Sequence, residues 1–262
     1  MTMSEITPPA SSSSPPPSGF QVSRRTLVGV GLMVMVVMAA VWEASRYGIT
    51  DRPPTSVTST SIRATPAAAT TAATTVPQQG TVRFSDSFAR ANSATDLGSD
   101  DLGHQWQVDG GAWGIDDEMA YISRVSETPA QFSLATAHVD DTDGVWSATV
   151  VGSGVCGLVV RYVDPQNFLV VKRVPLYDLW NIEEVTDGES VRLGYLADPG
   201  DGPVQVIIGY RGSSITVSVG GTVHQPLTTA LDPSTGAFGL FGEGVTAREC
   251  RWQDATLARA GS

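Results

Sequence analysis

From residue 131 to 257 the chain is a succession of short runs with period-two alternation, spaced roughly 8–12 residues apart by Gly, Asp and Pro. Residues 131–136, 145–151, 155–163, 168–174, 179–185, 191–196, 204–210, 215–219, 236–241 and 250–257 carry the pattern. None of these segments holds an apolar stripe at helical spacing, so strands and not helices are the expected building unit. The separators agree with this. Asp109-Gly110-Gly111, Asp187-Gly188, Asp198-Pro199-Gly200-Asp201-Gly202 and Gly220-Gly221 all supply positions that tolerate positive φ. About a dozen strands must bury their apolar faces against one another, which two packed antiparallel sheets achieve. An all-β two-sheet sandwich is therefore the expected fold.

The first 80 residues are of another kind. Residues 1–25, rich in Ser and Pro and ending in Arg24-Arg25, cannot bury a core and form a disordered tail. An uncharged, proline-free run from Leu27 to Trp42 follows, and residues 26–45 are the expected membrane helix. The two arginines before it place the N-terminus in the cytoplasm, and Trp42 and Tyr47 suit the outer interface. Ser23-Arg24-Arg25-Thr26-Leu27-Val28 also resembles a twin-arginine export signal, but no small-x-small cleavage site follows it. Residues 46–80, rich in Thr, Ala and Pro, form a linker, and residues 81–259 form the folded domain. Anchored or cleaved, the domain is expected outside the cytoplasm.

Residues 81–262 hold 11 Arg and Lys against 24 Asp and Glu, a formal net charge of −13. That balance excludes nucleic acid and anionic lipid as partners, since both require a basic surface. The chain has one lysine, Lys172. Its two cysteines, Cys156 and Cys250, both lie in the expected exported domain, where an even count points to a disulfide. Two buried free thiols are the alternative.

A set of short motifs runs through the domain in order. Phe84-Ser85-Asp86-Ser87-Phe88-Ala89-Arg90-Ala91 opens it, followed by Leu102-Gly103 with Trp106, and by Gly111-Ala112-Trp113-Gly114-Ile115 with Ala120-Tyr121-Ile122. Residues 157–168 and Gly236-Ala237-Phe238-Gly239-Leu240 complete the set. Together these resemble the concanavalin A-like lectin and glucanase jelly roll, in its laminin-G-like bacterial branch, over nearly all of residues 82–258. The resemblance implies a jelly-roll sandwich. It leaves function open, because that superfamily includes sugar-binding modules, glycosidases and adhesive domains.

The glucanases of that superfamily place alternating carboxylates on one strand face. Here Asp116-Asp117-Glu118 are consecutive and read as a hairpin tip, and Glu183-Glu184 face opposite sides of a strand. The histidines are scattered, and no P-loop or nucleophile elbow is present. The acidic loop Asp140-Asp141-Thr142-Asp143-Gly144 is a candidate calcium site with Asp141 and Asp143 as ligands, against the alternative of solvated turn acids. Strict alternation puts Cys156, Leu158, Val160 and Tyr162 on the core side of their strand and Arg161 on the outer side. Arg161, Arg173, Tyr177, Trp180 and Asn181 are then the expected ligand-binding patch, combining rings for stacking with donors for hydroxyl groups.

These observations point to a membrane-held extracytoplasmic module that binds glycan or cell-envelope polysaccharide without catalysis. A glycoside-acting hydrolase and an adhesive domain with a protein partner are the alternatives.

Overall fold

The computed structural model of the protein describes residues 79–126, 132–234, 236–244 and 246–261. The expected tail, the membrane helix at 26–45 and the linker up to residue 78 lie outside the described residues. In chain order the strands are β1 (Gln79–Asp86), β2 (Gln107–Val108), β3 (Ala112–Asp116), β4 (Met119–Arg124), β5 (Ser133–His138), β6 (Gly144–Gly152), β7 (Val155–Asp164) and β8 (Asn167–Val174). A 3₁₀ turn over Pro175–Tyr177 precedes β9 (Leu179–Thr186), β10 (Glu189–Ala197), β11 (Val204–Arg211), β12 (Ser214–Val219), β13 (Thr222–Val223), β14 (Leu227–Thr228), β15 (Ala237–Glu243) and β16 (Cys250–Ala260).

They form two antiparallel sheets. The nine-stranded sheet runs β13-β12-β11-β6-β16-β4-β3, with β1 also on β16 and β14 also on β12. The seven-stranded sheet runs β10-β9-β8-β7-β15-β5-β2. One strand, β16, organises the larger sheet. It pairs with β6 along one edge, while its other edge serves β4 at Arg251 and Trp252 and β1 from Ala255 onward. The register breaks between Gln253 and Thr256, where Asp254 takes φ 54°, and this bulge lets one edge carry two partners.

The hairpin turns follow their residues. Asp117 and Glu118 (φ 51° and 58°) join β3 to β4, and Asp187 and Gly188 (φ 52° and 79°) join β9 to β10. Both central residues are left-handed in each, as a two-residue type I′ turn requires. The Asp116-Asp117-Glu118 run is thus a turn, as its spacing indicates.

The main core lies between the sheets and includes Trp113, Trp146, Trp252, Phe84 and Phe238. A buried indole needs an acceptor for its N–H. Trp146 Nε1 donates across the gap to the Gly239 carbonyl and Trp252 Nε1 to the Gly157 carbonyl, each at 3.1 Å. A disulfide joins Cys156 on β7 to Cys250 on β16. Its Cα atoms are 5.6 Å apart, against about 10 Å between typical packed sheets, so the sandwich is pinched at that point. A second, smaller apolar cluster of Leu134, Val159, Tyr162, Phe168, Val170, Val185 and Phe241 lies on the outer face of the seven-stranded sheet.

The disulfide spans a sequence separation of 94 residues. A loop of that length contributes about 4–5 kcal/mol by restricting the unfolded chain. Cys156→Ala with Cys250→Ala is expected to lower the urea midpoint by a corresponding amount, and dithiothreitol to do the same to the unaltered protein. A midpoint insensitive to both would show that the bond does not support the fold.

Candidate functional site

The five residues expected to bind ligand do not share a surface, and β7 explains the largest displacement. Ala237 of β15 pairs with Tyr162 and Phe238 with Val160, so Arg161 is skipped, with φ 56°. This bulge breaks the alternation. Tyr162 joins Val159 in the outer-face cluster, and Arg161 turns inward and is 1% exposed. Its guanidinium stacks 4.9 Å from the Tyr210 ring centroid and donates to the carbonyls of Gly212 (2.6 Å) and Pro233. Burial pushes its pKa below the usual arginine value, opposed by Tyr210, Asp143 and Asp232. Arg161 is a strut between loops and cannot meet a ligand from solution.

Arg173 and Trp180 face each other on β8 and β9 on the core side. Trp180 is fully buried, its Nε1 donating to Asp198 Oδ1 at 3.3 Å. Arg173 holds the other oxygen of Asp198 and the Gly152 carbonyl. Tyr177 is exposed in the 3₁₀ turn before β9. Asn181, next to Trp180 in the strand, points the opposite way and lies on the outer face. The acidic loop is also engaged elsewhere. Asp141 accepts from Arg83 Nε at 2.6 Å, and Asp143 accepts from the Gly212 N–H at 2.8 Å. Among the described residues no group of three or more His, Cys, Asp or Glu is placed to hold a metal.

Residues opposite one another on neighbouring strands share a face. One row on the outer face therefore reads Tyr195, Asn181, Lys172, Gly157, Phe241, Leu134 across six strands. The adjacent row reads Arg192, Glu183, Val170, Val159, Gly239, Thr136. Gly157 has no room for a side chain, since a Cβ there would lie 2.2 Å from the Val171 carbonyl oxygen. Its bare backbone lets the Lys172 side chain cross the row. The ammonium reaches 2.5 Å from Glu243, 3.1 Å from Glu183 and 5.7 Å from the Phe241 ring centroid.

Lys172, Asn181 and Glu183 are buried and Glu243 is half-buried, with Lys172 joining the two carboxylates. Glu183 also accepts from Asn181 Nδ2 (2.9 Å) and Ser190 Oγ (2.7 Å). Burial alone would raise the Glu183 pKa, but the Lys172 charge and the Ser190 and Asn181 donors outweigh it and hold the carboxyl below its usual range. Burial alone would lower Lys172, and Glu243 and Glu183 together raise it. Asn181 Oδ1 is buried and accepts no hydrogen bond among the described residues. Beside it Tyr195 is 57% exposed, with the Arg192 guanidinium 5.7 Å from its ring centroid. The outer face is thus closed in its middle and open along its β10 edge.

Asn181 was legible in the sequence as a candidate, and Glu183 as facing away from Glu184. Lys172, Glu243, Arg192 and Tyr195 were missed. The available signal was the chain's single lysine, Lys172, at the end of the apolar run 168–171.

No protein-family model and no curated protein matches the chain. Solved structures do. A protein of unknown function with a galectin-like fold from Bacillus subtilis is 12% identical, with a TM-score of 0.50 over 70% of this chain and 98% of that one. A Bacillus licheniformis β-glucanase is 12% identical with a TM-score of 0.49 over 70% and 100%. A Bacillus subtilis carbohydrate-binding module is 16% identical with a TM-score of 0.48 over 58% and 94%. The fold is the concanavalin A-like, galectin-like jelly roll that the motifs resemble.

Lys172→Met is expected to destabilise the domain by about 3 kcal/mol at neutral pH, because it leaves the buried Glu183 carboxylate without its cation and beside the half-buried Glu243. Adding Glu183→Gln and Glu243→Gln should recover most of that loss. The depressed Glu183 pKa stabilises the fold above the usual carboxylate range, and that contribution fades as the pH falls through the folded-state pKa. Urea midpoints measured across the acid range should therefore show the gap between Lys172→Met and the unaltered protein closing as the pH drops. A gap that is independent of pH would contradict this account of the cluster.

Proposed function

We propose that the domain is a non-catalytic glycan-binding module, held outside the cytoplasm by a membrane helix over 26–45, that takes sugar along the β10 edge of the seven-stranded sheet. The observation that carries this reading is the exposed Tyr195 ring with the Arg192 guanidinium 5.7 Å from its centroid, both on the open edge strand. A sugar ring has apolar C–H faces and a rim of hydroxyl groups. It stacks on Tyr195, and Arg192 donates to ring or hydroxyl oxygens.

Chemistry on the glycan is disfavoured by the same cluster. A retaining hydrolase requires one of its two carboxyl groups to be protonated as the acid. Lys172 contacts both Glu183 and Glu243, and the depressed Glu183 pKa favours the ionised form. The disulfide suits an oxidising compartment, which supports an extracytoplasmic position.

Full-length protein screened on a glycan array should retain at least one polysaccharide class. Tyr195→Ala and Arg192→Ala should each weaken that retention about tenfold, a loss near 1.4 kcal/mol. Trp180→Ala should instead destabilise the fold, because Trp180 is core. Retention unchanged by both outer-face substitutions would sink the site. A blank array with a protein partner recovered by cross-linking would favour the adhesive reading.

A further inference from the structure

A cavity of about 350 Å³ opens at the end of the nine-stranded sheet, where β6 begins and β11 and β16 end. Asp141, Thr142, Asp143, Arg211, Arg259 and Ala260 line it. It lies on the other sheet from Tyr195 and Asn181.

Each aspartate at this cavity has an arginine of its own. Asp141 holds Arg83 at 2.6 Å, and Asp143 lies 3.9 Å from the buried guanidinium of Arg161. The two arginines in the cavity wall are therefore surplus positive charge. Arg211 uses Nη2 on the Gly261 carbonyl. Arg259, 65% exposed at its side chain, has an ion pair at 3.8 Å with Asp141 and donates no hydrogen bond among the described residues. Two guanidinium groups with uncommitted N–H donors, facing one polar cavity, suit an oxyanion, which they can grip with paired parallel bonds. A cation is disfavoured, since Arg83 and Arg259 already flank Asp141.

We propose that this cavity binds a single oxyanion group, carboxylate or phosphoryl, on a molecule of monosaccharide size. Arg211 and Arg259 grip the group, and the Thr142 hydroxyl adds a donor. The volume lies near the lower end of small-molecule sites. Asp141 and Asp143 in the wall repel a second negative group, so the site selects one charged group per ligand and rejects dense polyanions.

The test is calorimetric titration of the full-length protein, at constant ionic strength, with glucuronate, glucose 1-phosphate and glucose. At least one of the two anions is expected to bind ten times more tightly than glucose or better. Binding of glucuronate alone assigns the site to uronic acids, and binding of glucose 1-phosphate alone assigns it to phosphorylated ligands. Arg211→Gln with Arg259→Gln should weaken anion binding at least tenfold with no change in the urea midpoint, since both side chains are peripheral. Tyr195→Ala should leave anion binding unchanged, so failure here is distinguishable from failure of the outer-face site. No anion binding, equal binding of glucose, or binding unaltered in the double variant would overturn the proposal.

Discussion

Three bonds cross the space between the sheets at neighbouring strands, and much of the molecule is arranged around them. Trp146 and Trp252 reach from the nine-stranded sheet to the carbonyls of Gly239 and Gly157, and Cys250 reaches to Cys156. An apolar core alone tolerates small slides between sheets, because dispersion contacts are not directional. A buried indole N–H fixed on one carbonyl does not tolerate them, since a lost bond leaves a desolvated donor. The acceptor positions are glycines for a backbone reason. At both, a Cβ would lie 2.2 Å from a carbonyl oxygen of the next strand. The ties that hold the core therefore fix where the outer face is bare, and Lys172 crosses that bare ground to reach Glu243. Core and candidate site are two sides of the same strands.

Much of the architecture was legible because alternation and turn chemistry are local. The strands at 145–151, 168–174, 179–185 and 204–210 fall inside observed strands, and the acidic run at 116–118 is a hairpin tip. Both depend on the residue and its immediate neighbours. The site was less legible, and Arg161 shows why. Its place on the outer face followed from strict alternation along β7, and a single extra residue in the pairing reversed every assignment after Val160. Nothing in the run Val160-Arg161-Tyr162 announces a bulge, since arginine has no special preference for positive φ. The bulge is stabilised from a distance, by the Tyr210 ring and the carbonyls of Gly212 and Pro233. Trp180 and Asn181 show the complementary case. Both were selected, but adjacency in a strand sends them to opposite faces, so at most one could meet a ligand there.

Charge is distributed with the same economy. In a domain of net charge −13, a cation can be held deep in the structure because carboxylates are available to surround it. Lys172 sits between Glu183 and Glu243, Arg173 holds Asp198, and Arg90 forms two bonds with the buried Asp86. Such pairs add little net stability over an apolar replacement, but they are unforgiving of misplacement. They set the orientation of Asn181 and Ser190 around Glu183, which a purely apolar outer face would leave undetermined. Arg192, Arg211 and Arg259 stand apart from this pattern, with their charged ends toward solvent at the two proposed binding regions.

The edge strand β10 brings these constraints together. An edge with exposed Val191 and Tyr195 invites pairing with another chain, and edges are ordinarily protected by charge or by a bulge. Here the register shifts between Arg192 and Gly194. A Cβ at Gly194 would lie 2.6 Å from the His224 ring, so a larger residue there would require that ring to move, and His224 belongs to the segment following β13 of the other sheet. The shift interrupts the regular backbone pattern an incoming strand would need, while the Tyr195 ring and the Arg192 guanidinium stay accessible. Protection of the backbone together with exposure of the side chains favours a ligand read through rings and polar groups over one added as a strand. On that ground the geometry of β10 argues for a sugar more strongly than for an extended peptide.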